Sequence, residues 1–167
     1  MSSKDHTKDH IFTLPDEAGT LALGAALAKV LVPGLVINLI GDLGAGKTTL
    51  VRGLLRALGH TGPVRSPTYT LVELYVVSGY IVYHFDFYRF NRPEEWLEAG
   101  LDEHFNRESV CLVEWPEKAG DLLPPADLDV MLEVLDHDDG HSTRRITLKA
   151  NSDRGTTCLS GLRFSPP

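Results

Sequence analysis

The sequence GDLGAGKTTL, residues 41–50, decides how the rest of the chain is interpreted. It directly follows an apolar run, Val36–Ile40, and its spacing is glycine, four residues, glycine, lysine and threonine. Glycines in this pattern let successive backbone N–H groups turn towards phosphate oxygens, and a following helix directs its positive end to the same point. The required context, a strand before the motif and a helix after it, is predicted here. The sequence therefore predicts a phosphate-binding loop of a nucleotide-binding protein.

The same segment supplies most of the predicted nucleotide contacts. We expect the Lys47 side chain to reach the β- and γ-phosphates and the Thr48 hydroxyl to hold Mg²⁺. The nucleotide-binding residues predicted in this segment are Gly41, Asp42, Leu43, Gly44, Ala45, Gly46, Lys47, Thr48 and Thr49.

The composition suits a single domain and limits the class of partner. The chain has 167 residues, enough to bury a core of its own. It carries 16 Lys and Arg against 23 Asp and Glu, a net charge of −7. That balance argues against broad electrostatic binding to RNA, DNA or an anionic membrane. Cys111 and Cys158 have neither metal-binding nor disulfide spacing, which fits a protein of the reducing cytoplasm.

The chain divides into one long patterned region and two ends with little pattern. Residues 1–10 are polar without an apolar period, so we expect a flexible N-terminal extension. Residues 11–150 are expected to form the P-loop domain, and residues 151–167 a frayed C-terminal tail.

The pattern within the domain predicts strands that alternate with helices. The apolar stretch 21–40 is interrupted by Lys29 and Pro33-Gly34, which favours a helix followed by a buried strand over a membrane span or signal peptide. The predicted fold class is α/β, a P-loop NTPase-like central sheet flanked by helices. Helices are predicted over 17–32, 48–58 and 93–105, strands over 35–40, 110–115, 129–135 and 144–150, and a hairpin within 71–87 around Ser78-Gly79.

Two acidic residues at strand ends could complete a metal site. P-loop enzymes need a carboxylate near the metal, usually where a buried strand ends. Glu114 ends one apolar run and Asp86 ends another. Spacing alone does not rank the two.

The segment Ser66-Pro67-Thr68-Tyr69-Thr70 follows the predicted P-loop helix. P-loop proteins often carry a nucleotide-sensing loop at this position, although an ordinary turn with satisfied hydroxyls has the same pattern. Residue type alone likewise favours a packed strand histidine at His84 and an exposed charge at Arg89.

Five segments in order resemble one family, and the resemblance extends over roughly residues 15–150. The chain resembles the TsaE (YjeE) family, bacterial P-loop ATPases of the tRNA threonylcarbamoyladenosine pathway. The matching segments are GDLGAGKTTLVRGLL, GHTGPVRSPTYTLVE, YHFDFYRF, PEEWLEAGLDEHF and CLVEWPEK.

The resemblance implies an ATPase domain with ATP or ADP and Mg²⁺ as cofactors, and it implies roles for particular residues. Thr48 and Glu114 would be the Mg²⁺ ligands. Lys47, Asp86 and Thr68 would act in catalysis, Asp86 by positioning water or metal and Thr68 within a switch-like loop over the γ-phosphate. His84, Asp86, Tyr88 and Arg89 match the family's HxDxYR signature, while Trp115 would lie close to the nucleotide and Glu17 would contact the nucleoside.

The resemblance also implies a role that depends on partners. TsaB and TsaD would transfer a threonylcarbamoyl group to adenosine 37 of tRNA, and this ATPase, slow when alone, would support their repeated turnover in the cytoplasm. The tRNA would be contacted indirectly, through the complex.

Two other interpretations of the function stay open. A small-molecule kinase would need an arginine-rich lid, and Arg144-Arg145 lie at the start of a predicted strand instead. A nucleotide-dependent binding switch is the second, although the sequence lacks an NKxD guanine-reading motif.

Overall fold

The structure is a computed structural model that describes residues 9–167 and contains a seven-stranded sheet. Two 3₁₀ segments, Leu101–His104 and Pro116–Leu122, accompany the helices. The helices are α1 (Glu17–Ala28), α2 (Lys47–Ala57), α3 (Glu95–Glu98) and α4 (Asp153–Gly161). The strands are β1 (His10–Leu14), β2 (Val36–Ile40), β3 (Val72–Val77), β4 (Tyr80–Asp86), β5 (Ser109–Glu114), β6 (Leu128–Asp136) and β7 (Ser142–Ala150). The predicted α/β class is confirmed.

The sheet order β1-β7-β6-β2-β5-β4-β3 places the four parallel strands at its centre. β2 pairs parallel with both β5 and β6, and β5 pairs parallel with β4. Glu114 at the end of β5 pairs with Asp86 on one neighbouring strand, β4, and with Leu39 on the other, β2. These parallel strands therefore end at the same edge of the sheet. The chain then enters the glycine loop at Gly41, so the loop and both acids meet at one edge of the sheet.

Two glycines let α1 and α2 approach each other at backbone distance. A Cβ atom at Gly24 of α1 would overlap the Leu50 carbonyl oxygen and would lie 2.8 Å from the Leu54 amide nitrogen. A Cβ atom at Gly53 of α2 would lie 2.9 Å from the Leu21 carbonyl carbon. Contacts this short exclude any side chain at the two positions, so the middle of α2 packs directly against α1.

The two chain ends differ from the prediction. Residues 1–8 of the predicted extension lie outside the described residues, and His10 already begins β1, which pairs antiparallel with β7. The prediction of a frayed 151–167 tail was wrong. Residues 153–161 form α4, and the Ser152 hydroxyl caps this helix by accepting a hydrogen bond from the Gly155 amide at 3.0 Å. Cys158 and Leu159 are buried in the core.

The helix predicted over 93–105 is broken. α3 covers only four residues, and Gly100 then adopts a left-handed conformation, φ 74°, before the 3₁₀ turn. The residue that packs inward is Trp96, which is buried, whereas Leu97 is exposed. The predicted hairpin around Ser78-Gly79 is confirmed. The bounds of the three strands predicted after it lie within two residues of the observed bounds. Helix α1 ends four residues earlier than predicted.

No helix among residues 9–167 combines the length and the apolar character that crossing a membrane would require.

Candidate functional site

A cavity of about 380 Å³ opens where β2, β4 and β5 end. It collects most of the residues predicted from the sequence, from segments that are far apart in the chain. The predicted residues that line it are Glu17, Leu43, Gly44, Gly46, Lys47, Thr48, Thr49, Thr68, Asp86, Glu114 and Trp115. Of the remaining predicted residues, Gly41, Asp42 and Ala45 lie in the same loop but line a neighbouring groove instead.

The glycine loop has the backbone that a phosphate site needs. Gly44 and Gly46 have φ angles of 81° and 108°, a region that favours glycine. Gly46 immediately precedes α2, and no side chain caps the N-terminus of that helix. Its first N–H groups are therefore free of a side-chain partner at the point where the helix dipole is positive, which fits an anion.

Lys47 is buried at the centre of this arrangement. Its ammonium group donates to the carbonyl oxygens of Gly41 and Asp42, and it lies 3.9 Å from the centroid of the Trp115 ring. Burial lowers the pKa of Lys47, and nearby carboxylates, chiefly Glu114, oppose part of that effect. A positive charge held out of water beside main-chain carbonyls is well placed to exchange them for a phosphate.

Glu114 is fixed by two donors on one oxygen. The Thr48 hydroxyl donates to Oε2 at 3.0 Å, and His84 Nε2 lies 2.6 Å from the same atom. Glu114 is 3% exposed and His84 is fully buried. A hydroxyl and a carboxylate are the oxygen donors that Mg²⁺ prefers. Among residues 9–167 no group of three or more His, Cys, Asp or Glu side chains is arranged to hold a metal ion.

Asp86 is tied to a different part of the cavity. Its Oδ2 accepts hydrogen bonds from the hydroxyls of Ser66 and Thr68, the latter at 3.2 Å, while its Oδ1 accepts from the Tyr88 amide at 2.8 Å. The segment that follows α2 is thus held to the end of β4. The two acids therefore have different partners: Asp86 accepts from the 66–70 loop, and Glu114 accepts from Thr48 of α2.

Trp115 turns the chain at the mouth of the cavity. It follows β5 in a left-handed conformation, φ 59°, which is uncommon for a side-chain-bearing residue. Its ring lies 5.0 Å from the ring of Tyr88, centroid to centroid. Glu17 lines the same cavity from the first turn of α1. Both residues, which the family resemblance assigned to the nucleotide, therefore line this cavity.

Sequence reasoning missed Arg144 as a site residue. Its Nε donates to the Ala45 carbonyl oxygen at 3.1 Å, so it supports the glycine loop from β7 and also lines the cavity. The sequence showed only an arginine at a strand start, 99 residues from its partner. His84 was expected to be a packed histidine, and it is buried, but no residue pattern indicated that it contacts Glu114.

A glycine loop between a parallel strand and a helix, with an acid from the adjacent strand on the helix's first threonine, defines the chain as a P-loop protein. Residues 14–146 match the family model described as Threonylcarbamoyl adenosine biosynthesis protein TsaE. The chain belongs to the TsaE family.

Individual relatives match over nearly the whole length. The tRNA threonylcarbamoyladenosine biosynthesis protein TsaE of Haemophilus influenzae is 43% identical over 152 residues, which are 88% of this chain and 93% of that one. The Bacillus subtilis protein of the same name is 40% identical over 84% of each chain. The crystal structure of Bacillus subtilis YdiB superposes with a TM-score of 0.78 and 31% identity, covering 94% of this chain and 95% of that one.

Proposed function

We propose that this protein is the ATPase component of tRNA threonylcarbamoyladenosine modification. It binds ATP with Mg²⁺ and supports repeated turnover of the TsaB–TsaD complex. Family membership supports the pathway, because relatives with 40% and 43% identity carry its name. The observation that supports nucleotide chemistry is the buried Lys47 ammonium beside an uncapped helix N-terminus, with the Thr48 hydroxyl on Glu114.

The glycine loop and Lys47 form the proposed phosphate-binding part. Free N–H groups at the start of α2 would donate hydrogen bonds to the phosphate oxygens, and Lys47 would neutralise their charge from a site where burial strengthens the attraction. Its present partners are the carbonyl oxygens of Gly41 and Asp42, which compete weakly with an anionic oxygen.

Thr48 and Glu114 are the residues that would hold Mg²⁺. When bound, the ion neutralises charge on the terminal phosphates and orients them. His84 holds the Glu114 carboxylate in one orientation from the buried side, so the carboxylate keeps an oxygen, Oε1, that neither Thr48 nor His84 contacts.

Asp86 is the proposed acceptor for the attacking water. Its Oδ2 already accepts hydrogen bonds from the hydroxyls of Ser66 and Thr68. Asp86, Ser66 and Thr68 all line the cavity, so the carboxylate could orient a water molecule there and the 66–70 loop could contact a terminal phosphate. The 66–70 loop and Asp86 would then change position together when a terminal phosphate binds or leaves.

The partner assignment extends the family role. A net charge of −7 does not suit direct binding of tRNA, so TsaB and TsaD would hold the RNA and this protein would act on them. We expect the free protein to hydrolyse ATP slowly, because an ATPase site that partners complete hydrolyses ATP only during tRNA modification. Because the proposed pathway modifies tRNA, we place the protein in the cytoplasm.

Reconstitution with purified TsaB, TsaD, tRNA and an independent source of the activated threonylcarbamoyl donor tests this function. Threonylcarbamoyladenosine should accumulate over several turnovers with this protein and ATP, and should stop after about one turnover without it. The nucleotide product should be ADP with free phosphate. A phosphorylated metabolite in place of phosphate would indicate a kinase, and sustained modification without the protein would contradict the proposal.

A further inference from the structure

One exposed pair of side chains is connected to the nucleotide cavity without lining it. Tyr69 is 81% exposed, a larger fraction than any other large hydrophobic side chain among residues 9–167. The guanidinium carbon of Arg89 lies 4.1 Å from the centroid of the Tyr69 ring. Within the described part of the chain Arg89 forms no ion pair with a carboxylate, unlike the nearby Arg92, which contacts Glu98 at 2.8 Å. Neither Tyr69 nor Arg89 lines the cavity.

The pair belongs to two segments that are anchored on the same buried carboxylate. Thr68, directly before Tyr69, donates its hydroxyl proton to Asp86 Oδ2 at 3.2 Å. Tyr88, directly before Arg89, donates its amide proton to Asp86 Oδ1 at 2.8 Å. The two exposed side chains are therefore each one residue away from a hydrogen bond to an acid that lines the nucleotide cavity.

The backbone after Tyr69 is equally constrained. The Leu71 amide donates to the Pro67 carbonyl oxygen at 2.7 Å, and the Asp86 amide donates to the Leu71 carbonyl oxygen at 3.0 Å. Leu71 has φ 72°, a left-handed conformation that residues with a side chain rarely adopt. A loop held in this way fixes the backbone that carries Tyr69, which lowers the entropy lost when a partner binds this residue.

The chemistry of the pair fits a protein surface that carries a carboxylate. Tyrosine and arginine are the residue types enriched at the energetic centre of protein interfaces. The Arg89 guanidinium lies over the ring and has no carboxylate partner among residues 9–167, so its N–H donors can bind a bidentate acceptor while the ring offers apolar area. The net charge of −7 disfavours a polyanion such as RNA and leaves a local carboxylate as the better match.

We infer that Tyr69 and Arg89 form a docking point for an acidic, partly apolar segment of the protein partner, and that Asp86 links this docking point to the nucleotide site. The inference rests on the proposed function, because the partner is the TsaB–TsaD complex. Whatever changes the hydrogen bonds at Asp86 shifts both segments, so partner affinity depends on the bound nucleotide, and partner binding changes nucleotide affinity by the same factor.

Isothermal titration of the purified TsaB–TsaD complex tests the docking point, using wild type, Tyr69→Ala and Arg89→Glu. Arg56→Glu is the matched control, because Arg56 is an exposed arginine in the last turn of α2, at the far end of that helix from the glycine loop. Tyr69→Ala and Arg89→Glu should each weaken complex binding roughly tenfold or more. Arg56→Glu and Tyr69→Phe should bind within about twofold of wild type. Binding of ADP by the isolated protein, followed with a fluorescent analogue, should be unchanged in all four variants.

The other outcomes are distinct. If wild type does not bind the complex, the proposed function fails before the docking point is at issue. If wild type binds and both Tyr69→Ala and Arg89→Glu bind equally well, the docking point is wrong. Loss of ADP binding in these variants would place the pair in the nucleotide site and overturn the inference. Normal complex binding with impaired retention of tRNA in a gel shift would assign the pair to RNA and overturn it as well.

Discussion

The imidazole Nε2 of His84 lies 2.6 Å from the carboxylate oxygen Oε2 of Glu114, and both side chains are buried. The contact reaches Glu114 from beneath the cavity, whereas the Thr48 hydroxyl reaches the same oxygen from the α2 side. A carboxylate held by two donors has little freedom to rotate. The relationship makes His84 a positioning residue for the proposed Mg²⁺ ligand, and buried partners of this kind affect metal affinity strongly.

Replacing His84 should therefore alter the Mg²⁺ requirement. In His84→Ala, about tenfold more Mg²⁺ should be needed for half-maximal stimulation of fluorescent ADP binding. His84→Gln, whose amide can still donate, should recover part of the loss. The control is His104→Ala, which removes a half-buried histidine that stacks on Tyr83 away from the cavity. An unchanged Mg²⁺ requirement in a folded His84→Ala protein would contradict the positioning role.

Glu114 and Asp86 should respond differently to loss of charge. Glu114→Gln keeps the shape of a residue that contacts the Thr48 hydroxyl, so it should weaken Mg²⁺ binding. Asp86→Asn alters the contacts with the 66–70 loop, so nucleotide binding should persist while turnover slows, by about 10²-fold for a group that orients the nucleophile. A Mg²⁺ titration of ADP binding, combined with phosphate release, measures both effects. The reverse pattern would exchange the two roles.

The close packing of α1 on α2 predicts a stability effect that is independent of function. In Gly24→Ala the new methyl group would overlap the Leu50 carbonyl oxygen, so the helices must separate. Overpacking of this kind costs about 1–3 kcal/mol, or several degrees in Tm for a chain of this length. Gly161→Ala is the control, since its Cβ would meet its nearest neighbour at an ordinary 3.4 Å. Equal thermal unfolding of the two variants would show that the helix contact is looser than described.

The two cysteines should be unreactive in the folded protein. Burial raises the pKa of Cys111 from 9.0 to about 12, and burial is also the main cause that raises the pKa of Cys158. Since the thiolate is the reactive form, neither thiol should react with an aromatic disulfide reagent at pH 8 until denaturant is added. Between pH 9 and about 12 the unfolded chain loses the Cys111 proton and the folded chain retains it, so the free energy of unfolding should fall as pH rises. Rapid reaction of Cys111 in the native state at pH 8 would contradict this.

The site was predictable where its signal is local in the sequence. Gly44, Gly46, Lys47 and Thr48 occur in one short segment that folds as a loop and a helix start, so their spacing alone predicts the geometry. The hairpin at Ser78-Gly79 was predictable for the same reason, because strand pattern and turn residues are adjacent.

Features that depend on distant contacts were not predictable in this way. The α4 helix has few apolar residues, and it packs so closely on the chain before β6 that a Cβ at Gly155 would lie 2.9 Å from the Asp127 carbonyl carbon. The sequence around Gly155 gives no sign of that contact. Arg144 reaches Ala45 from β7, which folds back next to β6, and β1 pairs with the other side of β7. The helix predicted over 93–105 is too long, because the apolar spacing continues across Gly100, where the backbone turns.

Phosphate release measured in the presence of TsaB–TsaD and tRNA, for wild type and Lys47→Ala side by side, tests the central claim most directly. Lys47 is the buried cation of the glycine loop, and its removal leaves the terminal phosphates without their side-chain counter-charge. Wild type should hydrolyse ATP slowly alone and faster with the partners, and Lys47→Ala should lose about 10²-fold or more of that rate while unfolding at a Tm close to wild type. Wild-type rates of phosphate release from Lys47→Ala would contradict the account.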